Sequence, residues 1–170
     1  MNDLTKTQQM DELLKSNNGY LLSKDVVSLG ISKTFLAEYV KNHKLQRVAQ
    51  GVYISSDVWQ DDLFILSLKN SKAILSYETA LQLHGLTERE ADVIHMTVAY
   101  GYNATHLRKK GVCVHQVKDD LLSMGITKTT TNYGNIVSAY DMERTICDIV
   151  KDRDKMDSQT FQYAIFKYKD

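Results

Sequence analysis

Between Ile31 and Ser56 the chain places four basic residues, Lys33, Lys41, Lys44 and Arg47, against a single acid, Glu38. Cations clustered in this way suit phosphate binding, because each Lys or Arg that neutralises a phosphate releases a condensed counterion. The whole chain of 170 residues balances 21 basic against 21 acidic side chains, so the excess belongs to this segment. Residues 1–30 carry Lys6, Lys15 and Lys24 against Asp3, Asp11, Glu12 and Asp25. On a helix, Lys33, Ala37 and Lys41 recur every four residues on one face, with Thr34 and Glu38 beside them. Ser32, Lys33, Thr34 and Ala37 are then candidates for contact with base edges. Lys41, Lys44 and Arg47 are better placed for phosphates, where they position a protein without reading sequence. Gln50 could reach a minor groove or a phosphate. The plainer reading is a solvated helix face that packs only against protein.

Other chemistry is weaker. Thr105 to Lys118 contains Arg108, Lys109, Lys110 and Lys118 and no acid. This second basic cluster would extend the DNA-binding face or bind RNA, or is simply a solvated loop before a strand. Asp92 and the run Gln116-Val117-Lys118, with Glu78 as a further carboxylate, have the residue types of a magnesium nuclease. The supporting second carboxylate of such a site is missing. Five histidines (His43, His84, His95, His106 and His115) lie too evenly along the chain to suggest a close ligand pair, and His84 reads as a packed or hydrogen-bonded side chain. Cys113 and Cys147 are far apart in apolar runs and read as reduced core thiols. No phosphate-binding glycine loop and no nucleophile elbow is present. No catalytic residue, metal or cofactor is expected, and the chain does not read as an enzyme.

The elements that must position the first basic cluster are legible around it. A short helical run carries Val26, Val27 and Leu29 and stops at Gly30, where glycine allows a left-handed residue. Ser32 sits at the N-cap of a second helix whose apolar stripe is Phe35, Leu36, Tyr39 and Val40. Leu36 and Val40 should face a core with Val26 and Val27. Leu45 to Val48 and Val52 to Ile54 are β-prone and flank Ala49-Gln50-Gly51, a hairpin with a late glycine. Helix, turn, helix and hairpin in this order predict a winged helix-turn-helix.

Beyond Ser56 the pattern changes. Asp61 to Lys69 is an apolar helical run, and Ser76 looks like the N-cap of a helix ending at Gly85. Val93 to Ala99 and Gly111 to Val117 are rich in Val and other β-formers. Leu121 to Met124 reads as a turn of helix. Ile126 to Thr131 and Gly134 to Tyr140 form a hairpin about Asn132-Tyr133-Gly134. Asp141 caps a helix through Ile146, Ile149 and Val150, in which Arg144 and Asp148 stand at i, i+4. A last helix carries Phe161, Ala164, Ile165 and Tyr168. The fold class expected is α+β: a winged helix-turn-helix domain over residues 1–57, then a mixed α+β domain over 58–170. No apolar run reaches the length of about 20 residues needed to span a bilayer, and the first residues lack a signal-peptide core. A cytoplasmic protein without a membrane partner is expected. The absence of proline has no physical account.

Three motifs carry a resemblance. Leu45-Gln-Arg-Val48 leading into Gly51-Val52-Tyr53, Leu75-Ser-Tyr-Glu-Thr-Ala-Leu-Gln-Leu-His-Gly-Leu86, and Glu143-Arg-Thr-Ile-Cys-Asp148 are similar, in that order, to AbiEi antitoxins. The resemblance implies a type IV toxin–antitoxin system acting in abortive infection against phage. It implies autorepression through binding of double-stranded DNA at inverted repeats in the promoter. It also implies a nucleotidyltransferase-like toxin as functional partner, opposed without a stable complex. A monomer in solution with two or more copies on the operator would fit. Two features depart from the family. Gln50 stands at a wing tip where a basic residue is common, and the chain ends at Asp170 inside a helical pattern, which leaves open a truncated C-terminus. A module that inhibits its toxin by direct contact, or a winged-helix-guided nuclease, are the alternatives.

Overall fold

The computed structural model describes residues 4–169, with helices and strands mixed along the chain and two separate β-sheets. The α+β class expected from the residue pattern holds. Two compact units divide the chain. One comprises Met1–Ile65 with Tyr133–Asn135, the other Leu66–Asn132 with Ile136–Asp170. The division falls after Ile65, later than the change of pattern at residues 57 and 58, and the first unit also takes in the turn of a distant hairpin.

The first unit opens with α1 (Lys6–Ser16), held by a capping box in which Thr5 and Gln8 satisfy each other's backbone amides. Then follow β1 (Tyr20–Leu22), α2 (Ser23–Ser28), α3 (Lys33–Asn42), β2 (Gln46–Ala49) and β3 (Val52–Ile54). The three strands form an antiparallel sheet in the order β1-β3-β2, with a bulge between Arg47 and Ala49. Ser32 caps α3, its hydroxyl accepting the Phe35 amide at 3.2 Å. Gly30 takes φ +75°, and no atom lies near where its Cβ would be; backbone conformation alone calls for glycine. Met10, Leu21, Val26, Ile31, Leu36, Tyr39 and Leu45 make the core, with Val40 packed against it. Val27 does not join them. It is 46% exposed, because one helical turn buries one face and Val27 stands about 100° from Val26.

A buried polar node closes this unit. Asp61 is 1% exposed. Its amide donates to Tyr20 Oη at 2.8 Å, Oδ1 accepts from the Phe64 amide at 3.1 Å, and Oδ2 accepts from Asn135 Nδ2 at 2.8 Å. Asn18 Nδ2 donates to the Gly134 carbonyl at 2.9 Å. Asp61 and Asn135, 74 residues apart, thus satisfy one another, as buried polar groups must.

α4 (Asp62–Lys69) leads into the second unit. There β4 (Ile74–Leu75), α5 (Tyr77–Leu83), β5 (His95–Ala99), α6 (Thr105–Lys109), β6 (Cys113–Val117), α7 (Asp119–Leu122), β7 (Ile126–Thr130), β8 (Ile136–Tyr140), α8 (Met142–Lys151) and α9 (Ser158–Lys169) follow in order. The sheet order is β6-β5-β4-β8-β7. β5 and β6 are parallel and joined through α6, as a parallel pair requires a crossover. Tyr77, Leu81, Leu86, Ile149 and Ala164 form a core shared by α5, α8 and α9. Asp141 caps α8 by accepting the Arg144 amide at 2.7 Å. Ser76 stands at the N-cap position of α5 but makes no side-chain cap; its buried hydroxyl accepts from Thr97 Oγ1 at 2.8 Å. Cys147 is exposed, not a core thiol: α8 buries Thr145, Asp148 and Ile149, and position 147 points off that face.

Candidate functional site

All eight residues expected at a nucleic-acid face are exposed. Ser32, Lys33, Thr34, Ala37 and Lys41 lie on α3 or its cap, Lys44 just beyond it, Arg47 on β2 and Gln50 in the β2–β3 turn. Leu36 and Tyr39 are buried on the other side of α3, so the helix presents its polar stripe to solvent. Lys41 lies in the last turn, where a cation complements the helix dipole. Lys44 adopts φ +53°. It occupies the left-handed residue of a Schellman-type stop, in which the Leu45 amide donates to the Val40 carbonyl at 3.0 Å. Tyr39 donates from its hydroxyl to Asp11 and stacks on His43 at 3.8 Å, which fixes α3 against α1. Burial, then the Asp11 hydrogen bond, raises the Tyr39 hydroxyl well above its usual range.

The second basic cluster is only partly assembled. Arg108 and Lys109 end α6, Lys110 follows, and all three are exposed. Lys118 lies at the other end of β6, a strand of about 16 Å at ordinary rise, beside Asp119 and Asp120. It does not share their patch. The magnesium arrangement fails for a related reason. β5 and β6 run parallel, so Asp92 before β5 and Lys118 after β6 stand at opposite ends of the pair. Asp92 instead pairs with Arg89 at 3.4 Å, and Glu78 faces His95.

The even spacing of the histidines along the chain proves a poor guide. His95 Nδ1 lies 2.9 Å from His115 Nε2, and Cys113 Sγ lies 3.7 Å from the same nitrogen. His95 Nε2 is 2.8 Å from Glu78 Oε2, at ion-pair distance but off the line of a well-formed N–H···O bond. The Tyr77 ring stacks on His115 at 3.7 Å, and its hydroxyl donates to Asp152 Oδ2 at 2.7 Å. Burial lowers the pKa of His95 against the pull of Glu78. Burial, then His95, lowers that of His115 to about 4. Burial, then Glu78, raises the Cys113 thiol. The one signal in the sequence was Cys113-Val-His115 in a β-like run, since alternate residues share a strand face. His84 behaves as expected, its Nε2 2.6 Å from the Tyr140 carbonyl.

Among the described residues no helix is long and apolar enough to cross a membrane. No family model and no curated protein matches the chain.

Proposed function

We propose that α2, α3 and the β2–β3 ribbon work as a winged helix-turn-helix that binds double-stranded DNA. On this reading the chain is a cytoplasmic antitoxin of the AbiEi kind. It represses its own operon at inverted repeats and counteracts a nucleotidyltransferase-like toxin in abortive infection. The observation that carries the reading is the sorting of α3. Leu36 and Tyr39 are buried, while every residue assigned to bases or phosphates is exposed, including all four cations of the segment. In a helix-turn-helix the N-terminal end of the second helix enters the major groove, which gives Lys33, Thr34 and Ala37 to base edges. Lys41, Lys44 and Arg47 then flank them on the phosphates. The bulge between Arg47 and Ala49 adds local twist to the ribbon, which helps it follow a groove.

The test is binding to the DNA immediately upstream of the gene, followed by fluorescence anisotropy over a salt series. Replacing Lys33, Lys41 and Arg47 together with Ala should abolish specific binding at moderate salt. It should also flatten the log–log salt slope by about one unit per lost phosphate contact. Unchanged affinity and slope in the triple variant would sink the proposal.

A further inference from the structure

We propose that His95, Cys113 and His115 bind a divalent metal ion of the zinc class, with Glu78 orienting His95. The site lies in the second unit and does not depend on the DNA-binding reading. Strand geometry brings the three residues together. Cys113 and His115 are two apart on β6, so their side chains leave the same face of the sheet. On the parallel neighbour β5, His95 is the register partner of Cys113, which sets its ring beside both. One ligand atom from each of the three lies within 4.8 Å of the other two.

The donor set selects the ion. Two imidazoles and one thiolate suit zinc and its borderline-soft neighbours, whereas magnesium and calcium want oxygen. At zinc bond lengths and tetrahedral angles, two ligand nitrogens stand about 3.3 Å apart and a nitrogen and sulfur about 3.6 Å. The nitrogens here are 2.9 Å apart, and Cys113 Sγ lies 3.7 Å from His115 Nε2. The two nitrogens need part by about 0.4 Å; the remaining pair, His95 and Cys113, lies within 4.8 Å and must close toward about 3.6 Å to hold the ion.

The surroundings are those of ligands held in place. A metal-bound histidine usually gives its other nitrogen to a carboxylate, which fixes the ring. His95 turns Nδ1 toward His115 and Nε2 toward Glu78. Tyr77 packs its ring flat on His115 while holding φ +49°, a left-handed conformation that an aromatic residue keeps only when its surroundings enforce it. Three protein ligands leave a fourth position for water or another ligand. Without a metal, the contact between the imidazoles is an N–H···N hydrogen bond and nothing more.

The experiment uses the full chain, stripped with chelator under reducing conditions and titrated with cobalt(II). One equivalent should bind and give the near-ultraviolet charge-transfer band of a cobalt–thiolate bond, and zinc should bleach it. The band should vanish in Cys113→Ser and persist in Cys147→Ser. Glu78→Gln should weaken zinc binding about 10- to 100-fold. No charge-transfer band in the wild type, or a band lost only in Cys147→Ser, overturns the proposal. A second measurement needs no variant to fold. Stoichiometric zinc should slow iodoacetamide alkylation of Cys113, followed by mass spectrometry, and leave the exposed Cys147 unaffected. Equal Cys113 rates with and without zinc also overturn it.

Discussion

Arg144 and Asp148 form a nearly buried ion pair along α8, Nε to Oδ1 at 3.0 Å, with each side chain 11% exposed. Asp C-terminal to Arg is the less favourable order for an exposed helical pair, so the helix alone does not explain it. The guanidinium also donates from Nη1 to the carbonyls of Leu121 at 2.8 Å and Met124 at 2.9 Å. It lies 4.3 Å from the centre of the Tyr140 ring. At Gly125, φ is +79° and a Cβ would come within 2.6 Å of the Arg144 Cβ. Arg144 thus ties α8 to the α7–β7 connection, and Gly125 makes room for it. Burial raises the pKa of Asp148 against the pull of Arg144, so the carboxylate depends on its partner.

Removing one member of such a pair leaves the other buried without compensation. Arg144→Ala should cost about 3–5 kcal/mol, and Arg144→Lys should recover only part of that, because an ammonium cannot serve the carboxylate and two carbonyls in one plane. Urea denaturation measures both. A loss below about 1 kcal/mol in Arg144→Ala, the scale of an exposed pair, would show that the tether is not structural.

Asp152 predicts an acid-side dependence. Its carboxylate accepts from Lys155 Nζ and Tyr77 Oη, each at 2.7 Å, and these bonds hold its pKa below the ordinary 3.8. A carboxyl group with a depressed folded pKa stabilises the protein above its unfolded pKa. That contribution is lost as pH falls from 3.8 through the folded value. Asp152→Asn cannot titrate, so the variant should lose urea stability at neutral pH and approach wild type as the pH drops below 3.8. Parallel curves for the two proteins down to the acid limit would contradict the linkage.

How far the sequence reached follows from the range of each interaction. Ser32 and Asp141 were readable as caps because a cap is settled within three residues of itself. Gly30 was readable as a stop for the same reason. α1 leaves little local signature, because Met10, Leu13 and Leu14 are sparse among polar residues, and only Met10 is fully buried there. β1 is three residues long and becomes a strand by pairing with β3, which no local pattern reveals. α6 has no helical signature in the sequence, since its five residues carry a single buried side chain, Leu107. His95 and Cys113 are far apart in sequence and meet only through the parallel register of β5 and β6. The bonds from Asp61 to Tyr20 and Asn135 are likewise long-range. Exposure of the α3 face was predictable because helical period alone decides it.

Lys44 separates stability from charge at one position. It holds φ +53°, a conformation costing a non-glycine residue about 1–2 kcal/mol, at the place where helices most often stop on glycine. It is also one of the four cations on the proposed DNA face. Lys44→Gly should therefore raise stability by about 1 kcal/mol while weakening promoter binding and flattening its salt slope by about one unit. Lys44→Ala removes the same charge but keeps the Cβ, so it should match Lys44→Gly in binding and stay close to wild type in stability. Denaturation in urea and anisotropy over a salt series read the two effects separately. Equal stability of the two variants would show that the left-handed residue stores no strain. Wild-type binding in both would remove Lys44 from the interface while leaving the strain argument intact, because the conformation of α3's last turn owes nothing to DNA.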